Sequence, residues 1–142
     1  MLEDYDRSQS TPPLALSIKS FSSGRELILS NFSRDYFVVK LLGSDLSAMK
    51  RIDAYIEFAG LVQLLESLAA HERNWEGTAE WCSIENDLCL AFRSDARGHV
   101  FIEVRLDKPD DWNLSCEIET ELGQLAMIAR KARHIYAQIY SS

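Results

Sequence analysis

The sequence predicts an α+β fold: a curved, mainly antiparallel sheet of about seven to eight strands with two helices on one face, in two layers and in the order ββββαββββα. Short runs of alternating apolar and polar residues recur along the chain, which is the two-residue period of half-buried strands. Two longer segments, 56–73 and 122–140, instead repeat apolar residues every three or four positions, the period of an amphipathic helix. Clusters of Gly, Ser, Asp and Pro at 22–24, 43–45, 95–98 and 108–111 punctuate the runs where turns are required.

Residues 1–13 are polar, end in Pro12-Pro13 and show neither period, so they read as a flexible N-terminal arm; 14–142 reads as a single domain. Leu14, Leu16 and Ile18 alternate with Ala15, Ser17 and Lys19 in a first strand. Segments 25–32 and 36–42 follow as a hairpin around Ser33-Arg34-Asp35. Residues 48–55 alternate weakly, and an edge position accounts for Lys50 and Arg51 there. The first helix, 56–73, carries Phe58, Leu61, Val62, Leu65, Leu68 and Ala69 on one face. Gly60 weakens it by about 1 kcal/mol relative to Ala, which points to a close helix-to-sheet contact.

Four further strands are expected at 80–86, 88–94, 99–107 and 112–121. The last sets Trp112, Leu114, Cys116, Ile118 and Thr120 against Asn113, Ser115, Glu117, Glu119 and Glu121, one side buried and one wet. The second helix, 122–140, buries Leu122, Leu125, Ala129, Ala132, Tyr136 and Ile139 and turns Arg130, Lys131 and Arg133 outward. No repeat by residue identity is evident, yet the element order suggests an approximate duplication.

A formal net charge of −7 opposes binding to nucleic acid, which needs clustered Lys and Arg, and favours a basic partner or simple solubility. Acidic residues Glu3, Asp4 and Asp6 stand where a secretory signal would be basic, and no apolar run is long enough to span a membrane. Cys82, Cys89 and Cys116 form an odd set without C-x-x-C spacing, read as reduced, buried thiols in a cytoplasmic protein.

The landmarks W-E-G at 75–77, S-I-E-N-D-L at 83–88, G-H-V at 98–100, Trp112 and G-Q-L at 123–125 resemble, in this order, an uncharacterised family of small bacterial proteins of unknown function. Its members show W-E-G, S-L-E-G-D-L, G-H-V and G-Q-L. The resemblance covers roughly the second half of the chain. Asn86 stands where that family usually has glycine, and Asn is the next best residue for a left-handed turn. The resemblance implies no activity and no functional residue.

No phosphate-binding glycine loop, nucleophile elbow or paired metal-ligand spacing is present, so neither cofactor nor metal is expected. His71, His99 and His134 are scattered. A thiolate from Cys82 or Cys89 with His99 as base is the enzymatic alternative, against the commoner reading of buried thiols beside a turn histidine. Asp87 and Asp95 read as turn residues. Trp81 and Trp112 fall at core positions, whereas Trp75 falls in a loop and is the aromatic contact candidate.

The sequence thus favours a non-catalytic binding module, of the immunity type, that neutralises a basic toxin. Its expected surface comprises Trp75, Glu76, Glu80, Glu85, Asp87, Glu117 and Glu119. A homodimer or a homo-oligomeric small-ligand domain is the remaining alternative.

Overall fold

The computed structural model describes residues 14–54 and 57–140, and their element order is the expected one. Strands β1 (Ala15–Lys19), β2 (Glu26–Ser30), β3 (Tyr36–Leu42) and β4 (Ser47–Asp53) precede helix α1 (Glu57–Ala69). Strands β5 (Ala79–Cys82), β6 (Leu88–Ser94), β7 (His99–Lys108) and β8 (Trp112–Glu121) precede helix α2 (Leu122–Tyr140). The arm expected at 1–13 and the strand-to-helix junction at Tyr55 and Ile56 lie outside the described residues.

The eight strands divide between two antiparallel four-stranded sheets, ordered β1-β2-β3-β4 and β5-β6-β7-β8. Each strand follows its sequence neighbour through a short turn, whereas α1 stands between β4 and β5, so the meander stops and restarts there. Period-two alternation decides which side of each sheet is buried. In β3, Phe37, Val39 and Leu41 face inward; in β7, Val100, Ile102, Val104 and Leu106 do. These side chains join Leu61, Val62 and Leu65 of α1 and Leu125, Ala132 and Ile135 of α2 in one continuous core. Phe58 centres the α1 contact, 5.0 Å from Phe32 and 6.0 Å from Phe37 between ring centroids.

Among the described residues, two hydrogen-bonded joints tie the sheets directly. At the first, the Phe21 N–H donates to the Glu119 carbonyl at 3.1 Å, and the Glu119 N–H donates to Ser20 Oγ at 3.1 Å. At the second, Lys50 on edge strand β4 reaches 2.8 Å to Asp87 beside β6. Asp87 is buried and also takes a hydrogen bond from the Ser83 hydroxyl. A buried carboxylate requires such a cation and donor, so Lys50 is more than an edge-strand charge.

The expected boundaries shift where backbone bonds redirect the chain. Helix α1 ends at Ala69 rather than Arg73, because His71 to Asn74 offer no apolar side chain to bury. Gly60 faces the Trp81 indole, where an added Cβ would lie 3.7 Å from Nε1, an ordinary contact. Trp81 donates its Nε1–H to the Glu57 carbonyl at 2.8 Å, fixing the start of α1 on β5.

Strand β5 stops at Cys82 rather than residue 86. The Ser83 N–H donates to the Leu88 carbonyl at 2.9 Å and the Asn86 N–H to the Ser83 carbonyl at 2.9 Å, closing a turn. Asn86 takes the left-handed conformation, φ 60°, that its place in the turn predicts. This turn sets Cys82 directly opposite Cys89, with Cα atoms 4.1 Å apart, and the two are joined in a disulfide. The expectation of three reduced thiols is therefore corrected: among the described residues only Cys116 is free. No described helix is long and apolar enough to cross a membrane.

Candidate functional site

The outer face of the second sheet gathers most of the chain's unburied chemistry. In β7 the residues between the core positions are His99, Phe101, Glu103, Arg105 and Asp107; in β8 they are Asn113, Ser115, Glu117, Glu119 and Glu121. Across the sheet, register places Glu80 beside Ala91, Ala91 beside Glu103, and Glu103 beside Glu117. Three carboxylates thus share one row over a small residue.

The ladder geometry brings two of them close. The Leu122 N–H donates to the Gly98 carbonyl, which extends the bonded pairs of β7 and β8 through the inward positions. The outward pair Glu103 and Glu117 is therefore of the non-hydrogen-bonded type, whose Cα atoms approach to about 4.5 Å and whose side chains stand closest. Like charges placed so are destabilising. Two guanidinium groups offset part of this cost. Arg93 lies 3.0 Å from Glu117 and stacks over Phe101 at 4.3 Å, and Arg105 lies 3.3 Å from Glu80. Among the described residues the Glu103 carboxylate makes no hydrogen bond or ion pair.

The seven residues singled out from sequence do not form one site. Glu80, Glu117 and Glu119 come together on this face, Glu119 half-buried where its backbone meets β1. Glu76 and Glu85 are exposed, one in the loop before β5 and one on the β5–β6 turn. Two lie inside. Asp87 is spent on Lys50, and Trp75 is only 8% exposed. The loop carrying Trp75 folds back on β6, where the Trp75 N–H donates to Ser94 Oγ at 3.0 Å; Trp75 is therefore not the exposed aromatic contact expected. Glu121, Arg93, Arg105 and Phe101 were missed, although the alternation of β7 and β8 signals all but Arg93.

The thiol–imidazole alternative is corrected by two observations. Cys82 and Cys89 are bonded to one another. Cys89 also pairs with Arg105, six positions along β7 from His99, a separation of about 20 Å at strand rise. His99 instead serves a turn. Its Nδ1 lies 2.9 Å from Asp95 Oδ2, while Asp95 Oδ1 accepts the Arg97 and His99 N–H groups at 2.9 and 3.0 Å. The hydrogen bond raises the His99 pKa above 6.5 and, reciprocally, holds the Asp95 carboxyl below its ordinary value. Burial pushes the Cys116 thiol up, which makes it a poor nucleophile.

Among the described residues no group of three or more His, Cys, Asp or Glu could hold a metal ion. A cleft of about 530 Å³ lies between the helices, floored by Ala69, Ala70, Ala126 and Ala129 and edged by the Glu66–Arg133 ion pair. Its floor offers apolar contact and no convergent polar groups.

With this geometry in hand, comparison with known proteins adds one firm result. A family described as a family of unknown function, DUF6228, matches residues 21–138. The chain belongs to that family. The DUF6228 match spans β2 to β8, all of α1 and all but the last two residues of α2, so the relationship extends beyond the second-half landmarks. No curated protein matches. Among solved structures, the DUF6228 chain is similar to Trypanosoma bruciei MRP1/MRP2, with 11% identity, a TM-score of 0.60, and coverage of 96% of this chain and 92% of the other. At that identity the likeness describes the fold.

Proposed function

We propose that this chain is a non-catalytic protein-binding module of the immunity type, acting in the cytoplasm, which takes a basic protein such as a toxin on the outer face of its second sheet. One observation carries the reading: Glu103 stands opposite Glu117, with Glu119 and Glu121 following on the same side of β8. An arrangement that folding alone disfavours gains from a cation brought by a partner. Residues 57–140 carry fifteen acidic and eight basic side chains, so their field steers a cationic protein toward them. The same charge opposes nucleic acid and opposes pairing of two copies through this face. A homodimer would have to use another surface.

Affinity capture from the native host, eluted with a salt gradient, tests the reading. The expected result is a basic protein whose retention weakens as salt rises and is lost in the triple variant Glu103→Gln, Glu117→Gln, Glu119→Gln. Retention that ignores both salt and the triple variant, or the capture of no basic protein, would sink it.

A further inference from the structure

The geometry points to the Cys82–Cys89 disulfide as a reversible redox site, opened in the folded protein by a dithiol reductant of the thioredoxin class, that controls how tightly the β5–β6 hairpin holds the two sheets together. The inference is independent of the proposed partner and rests on the cytoplasmic reading only for the class of reductant.

The bond sits where a reagent can use it. Cys82 is half-buried on β5, the outer strand of its sheet, whereas Cys89 is 4% exposed on β6. An incoming thiolate therefore meets the Cys82 sulfur first. Cys89 pairs across the ladder with Arg105, whose guanidinium is held by Glu80, two residues before Cys82, so the disulfide lies beside an ion pair on the outer face. The face is also the candidate binding surface: Arg105 continues from the disulfide to Glu80.

The chemistry closes without further reagents. The reductant's thiolate forms a bond to Cys82 Sγ, and the electron pair of the Cys82–Cys89 bond leaves on Cys89 Sγ, which takes a proton. The reductant's second thiol, as thiolate, then attacks its own sulfur in the mixed disulfide. Cys82 departs as thiolate and is protonated. Two electrons and two protons have passed to the chain, and the reductant carries the disulfide. A low-molecular-weight disulfide reverses the process by the same exchange.

What the bond holds follows from its position. It spans the turn that carries Ser83 and Asp87, and Asp87 is the anchor for Lys50 of the first sheet. Strand β5 has only four residues to pair with β6. Opening the disulfide leaves β5 to that short ladder, to the buried Trp81 with its bond to Glu57 and to the turn anchored by Lys50–Asp87, while β6 keeps its seven pairs with β7.

Native full-length protein is alkylated with iodoacetamide before and after incubation with dithiothreitol, then with a thioredoxin-class reductant, and labels are located by mass. The expected result is no label on Cys82 or Cys89 before reduction and both labelled after, without denaturant. Hydrogen exchange of reduced protein should rise on the order of tenfold or more at the hairpin amides, while β1 to β3 keep their protection. The double variant Cys82→Ser, Cys89→Ser should show that raised exchange with or without reductant; if it does not fold, the wild-type measurement carries the test alone. Labelling of both cysteines before reduction, resistance of the bond until the protein is denatured, or unchanged exchange after reduction would each overturn the proposal. None of these readouts involves a basic partner, so their failure leaves the binding reading standing.

Discussion

The two ββββα halves share an element order and a core, but their outer faces diverge. On β2 to β4 the outward positions mix the neutral Ile28, Val38 and Met49 with Glu26, Lys40 and Arg51; the corresponding face of β6 to β8 holds Arg93, Glu103, Arg105, Glu117 and Glu119. Residues 14–54 carry six basic and four acidic side chains, the reverse of the excess in 57–140. In a half-buried strand the inward residues alone must satisfy the core, so the outward ones are free to specialise. The difference teaches that the second half concentrates the acids on its outer face, whereas the first carries a mildly basic balance there.

That division is of surfaces and not of stability, and the largest test addresses it. Phe58→Ala should cost about 3–5 kcal/mol by opening the cluster that α1 shares with Phe32 and Phe37. All three tryptophans lie in the second half, so fluorescence follows that half while circular dichroism follows both. The two probes should lose structure together in denaturant; separate transitions would make the halves independent units.

Next in size is the tie between them. Lys50→Ala strands Asp87 without its cation and should cost about 2–3 kcal/mol, below a fully buried pair because Lys50 keeps 20% exposure. Breaking the exposed Arg25–Asp45 pair within the first half should hardly move the denaturation midpoint, and equal effects would erase the contrast between them.

Smaller and opposite in sign is Gly60→Ala. The added methyl fits against Trp81 at ordinary contact distance, and the helix gains about 0.5–1 kcal/mol. Destabilisation in a thermal melt would show that α1 and β5 need the glycine's close approach.

The least effect belongs to the exposed His99–Asp95 pair. The folded His99 value lies above 6.5, so its contribution is complete below that pH and is lost as pH rises through the folded value. In Asp95→Asn the His99 midpoint, followed by NMR, should fall. A midpoint that stays in place would assign the shift to some other group.

Much of this was legible in the sequence for local reasons. The alternation of 112–121 and the three-and-four spacing around Phe58 depend only on near neighbours, and Asn86 announced its turn by residue type. What escaped was set by distance or by register. A strand read to 86 hides the pairing of Cys82 with Cys89, since turn length decides which residues oppose. Trp75 looked exposed because a loop has no period to reveal its buried side. The Lys50–Asp87 bond joins residues 37 positions apart, and no local pattern encodes it.

The seam between β1 and β8 has a consequence for how the chain is made. Ser20 and Glu119 are 99 positions apart, so a ribosome must release most of the protein before the first strand finds its last neighbour. Until then the β1 edge stands open to any other strand, and helix α2, which covers the junction, has yet to be synthesised. Premature termination within β8 should therefore yield an aggregating fragment rather than a smaller working protein.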